Sequence, residues 1–222
     1  FAIDTKGRHL GTYTLAGAKA IDWEDMSLGP GPDPDKDYLY LGDIGDNFAK
    51  RETITVYRVE EPKVSPDQEP VNIELSGGET FTLKYEDRSR DAEVLIVDPK
   101  FGDLVIISKR ESKSRVYFVP AKELVPDAVI TLRYKTQLPW GWTTAGDISH
   151  DGRYVIVRGY AKAWIWKLLD SNELWRAFTT EPQEIPLATE PQGEAIAFDT
   201  QGLGYYTISE GVKQPVYFYQ KR

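Results

Sequence analysis

Cysteine is absent from this chain of 222 residues. That excludes disulfides, thiolate metal sites and a cysteine nucleophile. Histidine is scarce, with His9 and His150 alone. Neither falls where the acidic residues converge, which argues against a Ser-His-Asp triad. A basic surplus is missing too: 27 Lys+Arg face 35 Asp+Glu, a formal charge of -8 and a pI near 4.9. A nucleic-acid partner, which needs a basic face, is therefore not expected. No apolar run reaches the length of a membrane span, and no signal peptide is legible. The chain opens at Phe1, inside an apparent strand and without Met, which reads as a processed or truncated N-terminus.

What is present is hydrophobic residue (41%), Tyr (13) and Trp (6), with Gly (18) and Pro (14) at short intervals. That mixture fits many short strands joined by tight turns. A repeat organises them. A short acid-led strand ends in a turn. An apolar strand, a loop, an alternating aromatic strand ("VYFV", "AWIW", "VYFY") and usually a more polar strand follow. The marker acids Glu24, Glu93, Asp147 and Glu194 fall 69, 54 and 47 residues apart. The first step is stretched by the Pro-rich segments "GPGPDPDKD" and "EEPKVSPDQEP".

Four antiparallel strands per unit at this spacing predict an all-β fold, a five-bladed β-propeller whose N-terminal blade is incomplete. Residues 1–19 form a partial first blade or close the ring. The other blades span 20–86, 87–138, 139–190 and 191–222. "VNIELSGGETFTLKY" reads as the outermost strand of the 20–86 blade. One short helix is expected from Asp170 to Phe178, with Glu173 near its third position.

Antiparallel pairing places the start of each innermost strand beside the end of the second strand. Glu24, Asp25, Glu93, Asp147 and Glu194 should therefore meet at one mouth of the channel. Asp43, Asp46, Asn47, Lys109, Arg110, Arg158 and Glu210 should join them from the second strands. Trp140 and Trp142 should arrive from an entering loop, while Trp164 and Trp166 pack between blades. Asp98, Asp151 and Asp199 belong to the opposite face.

Three chemistries suit such a ring. The acids can cap backbone N–H groups of neighbouring blades. Glu24, Asp25, Glu93, Asp147 and Glu194 can ligate Ca²⁺, which takes about six to eight oxygens. Or Glu24, Glu93, Asp147 and Glu194 can act as an acid–base set, as paired carboxylates do in glycoside hydrolysis. Asp43, Lys109, Arg158, Glu210, Trp140 and Trp142 are the candidate ligand contacts, the indoles suiting a small-molecule or carbohydrate ring.

The "DWED…LYLGDIGDN…YRVEEP" stretch, with "QGEAIAFD…GYYTISEG", resembles a group of bacterial extracellular β-propeller proteins. The resemblance covers nearly the whole chain. It implies a secreted or periplasmic location and a segment ahead of "AIDTKG". The acid-lined channel also looks like the calcium-dependent lactonase and phosphotriesterase propellers. Those use Asn in the channel as well, whereas this chain has no Asn at an innermost-strand start. Glu24 or Asp25, Glu93 and Asp147 mimic the three successive acids of arabinanase-type five-bladed glycosidases. The expected function is a ligand-binding extracellular propeller with a calcium-binding mouth. A secreted carbohydrate-active or ester hydrolase, or a protein-interaction scaffold, is the alternative.

Overall fold

A computed structural model describes residues 1–168 and 173–221. In chain order, β1 (Ala2–Ile3) and β2 (His9–Leu15) come first. Sheet I contains β3 (Trp23–Gly29), β4 (Tyr38–Asp43), β5 (Ile54–Glu60) and, after the separate strand β6 (Val71–Leu75), β7 (Glu79–Tyr85). Sheet II contains β8 (Ala92–Val97), β9 (Leu104–Ser108), β10 (Arg115–Val119) and β11 (Val129–Gln137). Sheet III contains β12 (Thr143–Ile148), β13 (Tyr154–Gly159), β14 (Ala163–Lys167) and β15 (Gln183–Ile185). Sheet IV contains β16 (Gly193–Phe198), β17 (Gly204–Ser209) and β18 (Val216–Gln220).

Within sheets I to IV consecutive strands pair antiparallel. The innermost strands β3, β8, β12 and β16 stand side by side in that order. This is the blade arrangement of a β-propeller. Apolar faces fill the wedges between sheets. Tyr40, Val56 and Phe81 meet Leu95, Val97 and Leu104 between I and II. Val94, Val105 and Phe118 meet Val155, Val157 and Trp166 between II and III. Ala145, Ile156 and Ala163 meet Ile196 between III and IV. The run "AEVLIV" of β8 is buried along its whole length because both of its faces are covered.

Several features depart from the sequence pattern. "VNIELSGGETFTLKY" is two strands, not one. Gly77 at φ +76° breaks it, and β6 leaves sheet I to pair in parallel with β2. Strand β2 thus lies against β1 and β6 rather than closing a ring on β18. The outer strands β7 and β11 also pair in parallel, so sheets I and II share one hydrogen-bonded edge. The helix expected over Asp170 to Phe178 is a 3-10 helix, Leu174–Thr179, buried through Leu174, Ala177 and Phe178; Asp170, Ser171 and Asn172 lie outside the described residues. Among the described residues, no helix is long and apolar enough to cross a membrane.

Candidate functional site at the channel mouth

Each innermost strand carries a register shift one step after its first paired residue, at Trp23/Met26, Ala92/Val94, Thr143/Ala145 and Gly193/Ala195. A bulge adds one residue to one strand and re-aims a side chain. Glu24, Glu93, Thr144 and Glu194 occupy these shifts. The residues two positions earlier are Asp22, Asp91, Trp142 and Gln192. The mouth is therefore built from a D-x-E step in sheets I and II, "DWE" and "DAE", and from "WTT" and "QGE" in sheets III and IV.

Asp22, Glu24 and Asp91 each offer a carboxylate oxygen, and all three atoms lie within 4.8 Å of one another. Gly45 makes the approach possible, since a Cβ there would collide with Glu24 Oε1 and Asp22 Oδ2. Asn47 Nδ2 donates to Asp22 at 3.3 Å, and its Oδ1 accepts from Arg110. Arg110 also pairs with Asp91 at 2.5 Å, and Asp91 accepts the Asp46 N–H at 2.8 Å.

On the other side of the mouth, Lys109 is only 3% exposed. It pairs with Glu93, stands 3.7 Å from Glu194 and lies over the Tyr160 ring at 5.0 Å. Glu194 accepts from Tyr160 at 3.4 Å and from Gln192 at 3.0 Å, and Gln192 reaches Glu210 as well.

This crowding shifts the acids. Burial, then the neighbouring Glu93, Asp22 and Asp91 charges, pushes Glu24 up to about 8. Burial pushes Glu93 up to about 7 despite the opposing Lys109. Glu210 is raised by its hydrogen bond to Glu194 and by that residue's charge. Burial alone would lower Lys109, but Glu93 and Tyr160 outweigh it and hold the ammonium charged. Like charges gathered in a partly dry site favour protonation or a counter-cation.

Several expected contacts lie elsewhere. Asp147 is not at the mouth. The bulge of sheet III falls at Thr144, whose hydroxyl bonds the Gly193 carbonyl at 2.9 Å, so Asp147 sits three residues further along the strand. There it accepts the Phe198 N–H at 2.7 Å and its own neighbour Ile148 N–H at 2.8 Å. Asp25 does the same between β3 and β8, accepting Leu95 N–H at 3.0 Å and Met26 N–H at 2.9 Å. These two acids cap backbone groups.

Asp43 is 1% exposed and spends its oxygens on Ile21 N, Asp22 N and Arg51. Arg158 is buried between sheets III and IV, paired with Glu190 at 2.6 Å and donating to the Gly159, Tyr160 and Ala195 carbonyls. Trp140 stacks on Trp164 at 3.7 Å and on Trp166 at 5.8 Å inside the wedge between sheets II and III. Trp142, 49% exposed at φ +62°, does reach the mouth, with the Arg110 guanidinium 5.8 Å from its ring. Glu24, Glu93, Glu194, Lys109 and Glu210 are at the mouth as expected. Asp91, Tyr160 and Gln192 join them without having been singled out. The repeated D-x-E step was the available signal for Asp22 and Asp91.

A cleft of about 1050 Å³ lies elsewhere, between sheets III and IV at the opposite end, beside His150, Ile185, Phe198, Tyr205 and Tyr219.

No protein-family model matches the chain, and no curated protein matches it in sequence. Solved structures do match in shape. Hydrazine synthase of Kuenenia stuttgartiensis superposes with a TM-score of 0.48 at 14% identity, over 87% of this chain and 45% of that one. A Dos1 propeller gives 0.48 at 11% identity, over 88% and 46%. A 6-phosphogluconolactonase-type protein from Bacteroides uniformis, itself assigned only provisionally, gives 0.48 at 9% identity, over 88% and 67%. The chain spans less than half the length of the first two. At these identities the likeness is one of general fold, and the fold described above stands on its own strand pairing.

Proposed function

We propose that this chain is part of an exported, five-bladed ligand-binding propeller whose channel mouth holds a divalent cation, Ca²⁺. The reading is carried by the Asp22–Glu24–Asp91 cluster, three carboxylates within 4.8 Å of one another. A hard cation that takes about six to eight oxygen ligands suits that donor set, with water or ligand oxygens completing its shell. Asp91 of the cluster helps to raise Glu93, and Glu93 in turn helps to raise Glu24, so a cation there relieves both acids. Asp25, Glu93, Asp147 and Glu194 drop out of the metal set first expected: Asp25 and Asp147 cap backbone, and Glu93 and Glu194 lie by Lys109. Trp142 and Tyr160 offer ring faces for the organic part of a ligand. The exported location rests on the resemblance of the "DWED" and "GDIGDN" segments to bacterial extracellular propellers.

A hydrolase is the second reading, favoured by Glu24 and Glu93, two neighbouring carboxyls raised to near-neutral values. Such groups suit general acid–base work at neutral pH. The two readings separate in one measurement. Calcium at about 100 times its Kd adds about 2.7 kcal/mol to a folded state that binds it. For a chain of this size that raises Tm by roughly 5–10 °C. Thermal melts in EDTA and after calcium addition should show this shift, and Glu24→Gln should remove most of it. A Tm indifferent to calcium and EDTA rejects the cation reading and leaves the acid–base one.

A further inference from the structure

Beside the acid triad, the mouth carries a strip of ring, amide and carboxyl side chains. Trp142 and Tyr160 flank the Thr143–Gly159 pair and so stand next to each other across β12 and β13. From Tyr160 the strip continues through Glu194, which accepts from the Tyr160 hydroxyl at 3.4 Å, to Gln192 and Glu210. Gln192 and Glu210 are exposed. Trp142 holds φ +62° with half of its indole in solvent. That backbone angle strains a bulky side chain and leaves glycine at ease. The indole therefore stands outside at a cost to the fold, not in its service.

Three classes of ligand can be compared on this strip. An anion needs an unpaired cation, and both cations here are engaged: Lys109 with Glu93 and Glu194, Arg110 with Asp91 and Asn47. An organic cation needs bare ring faces. Lys109 already stands 5.0 Å from the Tyr160 ring, and Arg110 5.8 Å from the Trp142 ring. A neutral polyol meets neither obstacle. Its hydroxyls can donate to the Glu194 and Glu210 carboxylates, whose oxygens Gln192 holds in place. Its C–H face can pack on the Trp142 indole. A sugar ring combines that apolar face with hydroxyls along its edge.

We propose that the mouth recognises a neutral saccharide, stacked on Trp142 and hydrogen-bonded through its hydroxyls to Glu194 and Glu210. The inference deepens the ligand-binding reading above and rests on it, but uses none of the Asp22, Glu24 and Asp91 side chains. Phosphorylated and other anionic sugars are disfavoured by the same arrangement.

The test applies the 222-residue chain, biotinylated at its N-terminus, to an array of neutral, sialylated, sulfated and phosphorylated glycans in about 1 mM calcium. Neutral glycans should bind and the anionic ones should not. With the best-bound glycan free in solution, Trp142→Ala should raise Kd about tenfold, equivalent to about 1.4 kcal/mol. Glu210→Ala should raise it at least about threefold, the loss of one hydrogen bond, and it carries the test if the first variant does not fold. Phe101→Ala removes a ring that is 62% exposed on the turn between β8 and β9, at the other end of the channel, and should leave Kd unchanged. Binding confined to anionic glycans overturns the proposal. So does neutral binding that Trp142→Ala and Glu210→Ala leave intact, which would place the site elsewhere. Binding to no glycan overturns it too: a calcium-dependent Tm in the same preparation would then leave the cation reading standing, and a Tm indifferent to calcium would remove both.

Discussion

At the scale of single residues, Trp140 and Trp142 show how two neighbours in "LPWGWTT" take different roles. Trp140 is half-buried and stacked on two other indoles. Trp142 stands half in solvent beyond Gly141, where any Cβ would strike the Glu111 carbonyl. The sequence places both in one loop and cannot separate them, because the loop's direction is set by contacts with a distant turn: Ser114 N–H donates to the Trp140 carbonyl, and Trp142 N–H to the Lys109 carbonyl. Urea denaturation should separate them. Trp140→Ala should cost about 3 kcal/mol, the usual loss for a large aromatic removed from packed surroundings. Trp142→Ala should stay within about 0.5 kcal/mol while weakening any ligand that stacks at the mouth. Equal losses would mean that Trp142 also packs structurally. Asp43 and Arg158 differ from the sequence expectation for a similar reason: their residue types fit a ligand site, but their partners Arg51 and Glu190 lie in segments that no local pattern links to them.

At the scale of the element, the innermost strands run side by side too far apart for a backbone ladder, and side chains strap them together. Asp25 takes Leu95 N–H, Ser27 takes Val97 N–H at 3.1 Å and Asp147 takes Phe198 N–H. Strand existence was plain in the sequence because alternation and turn residues both mark it. The bulges were not, since one inserted residue leaves no compositional trace. The sequence pattern therefore aligns Asp147 with Glu24, Glu93 and Glu194, whereas Thr144 holds the matching place.

The strap has a pH consequence. Burial raises the Asp147 carboxyl from the ordinary carboxylate range to about 7, with the Phe198 and Ile148 N–H groups opposing. A carboxyl raised on folding binds its proton more tightly in the folded chain, so its contribution to stability falls as pH climbs from about 4 to about 7 and is then constant. Asp147→Asn keeps one acceptor and cannot ionise. It should be less stable than the parent at pH 4, and the gap should narrow by pH 8 in urea titrations. A gap that is constant or widens with pH would show that Asp147 is ionised and favourable in the folded state.

At the scale of the whole molecule, the wedges are unequal. The clusters between sheets I and II and between II and III each gather large aliphatic and aromatic side chains, while the one between III and IV rests on Ala145, Ile156, Ala163 and Ile196. Sheets I and II are further tied through the β7–β11 pairing. Sheet IV compensates with the buried Arg158–Glu190 pair and the Thr207 hydroxyl on Glu190 at 2.9 Å. A buried ion pair contributes little net stability beside packed hydrophobic contact. Local opening follows the thinnest packing, so sheet IV should open well below the global unfolding free energy. Hydrogen–deuterium exchange should show amides of β17 and β18 exchanging first and those of β8 and β9 last. Calcium bound at the mouth would slow exchange in β3 and β8 instead. Exchange that is uniform across the four sheets would mean that the ring unfolds as one unit and that the Arg158–Glu190 pair holds sheet IV as firmly as the larger cores hold the rest.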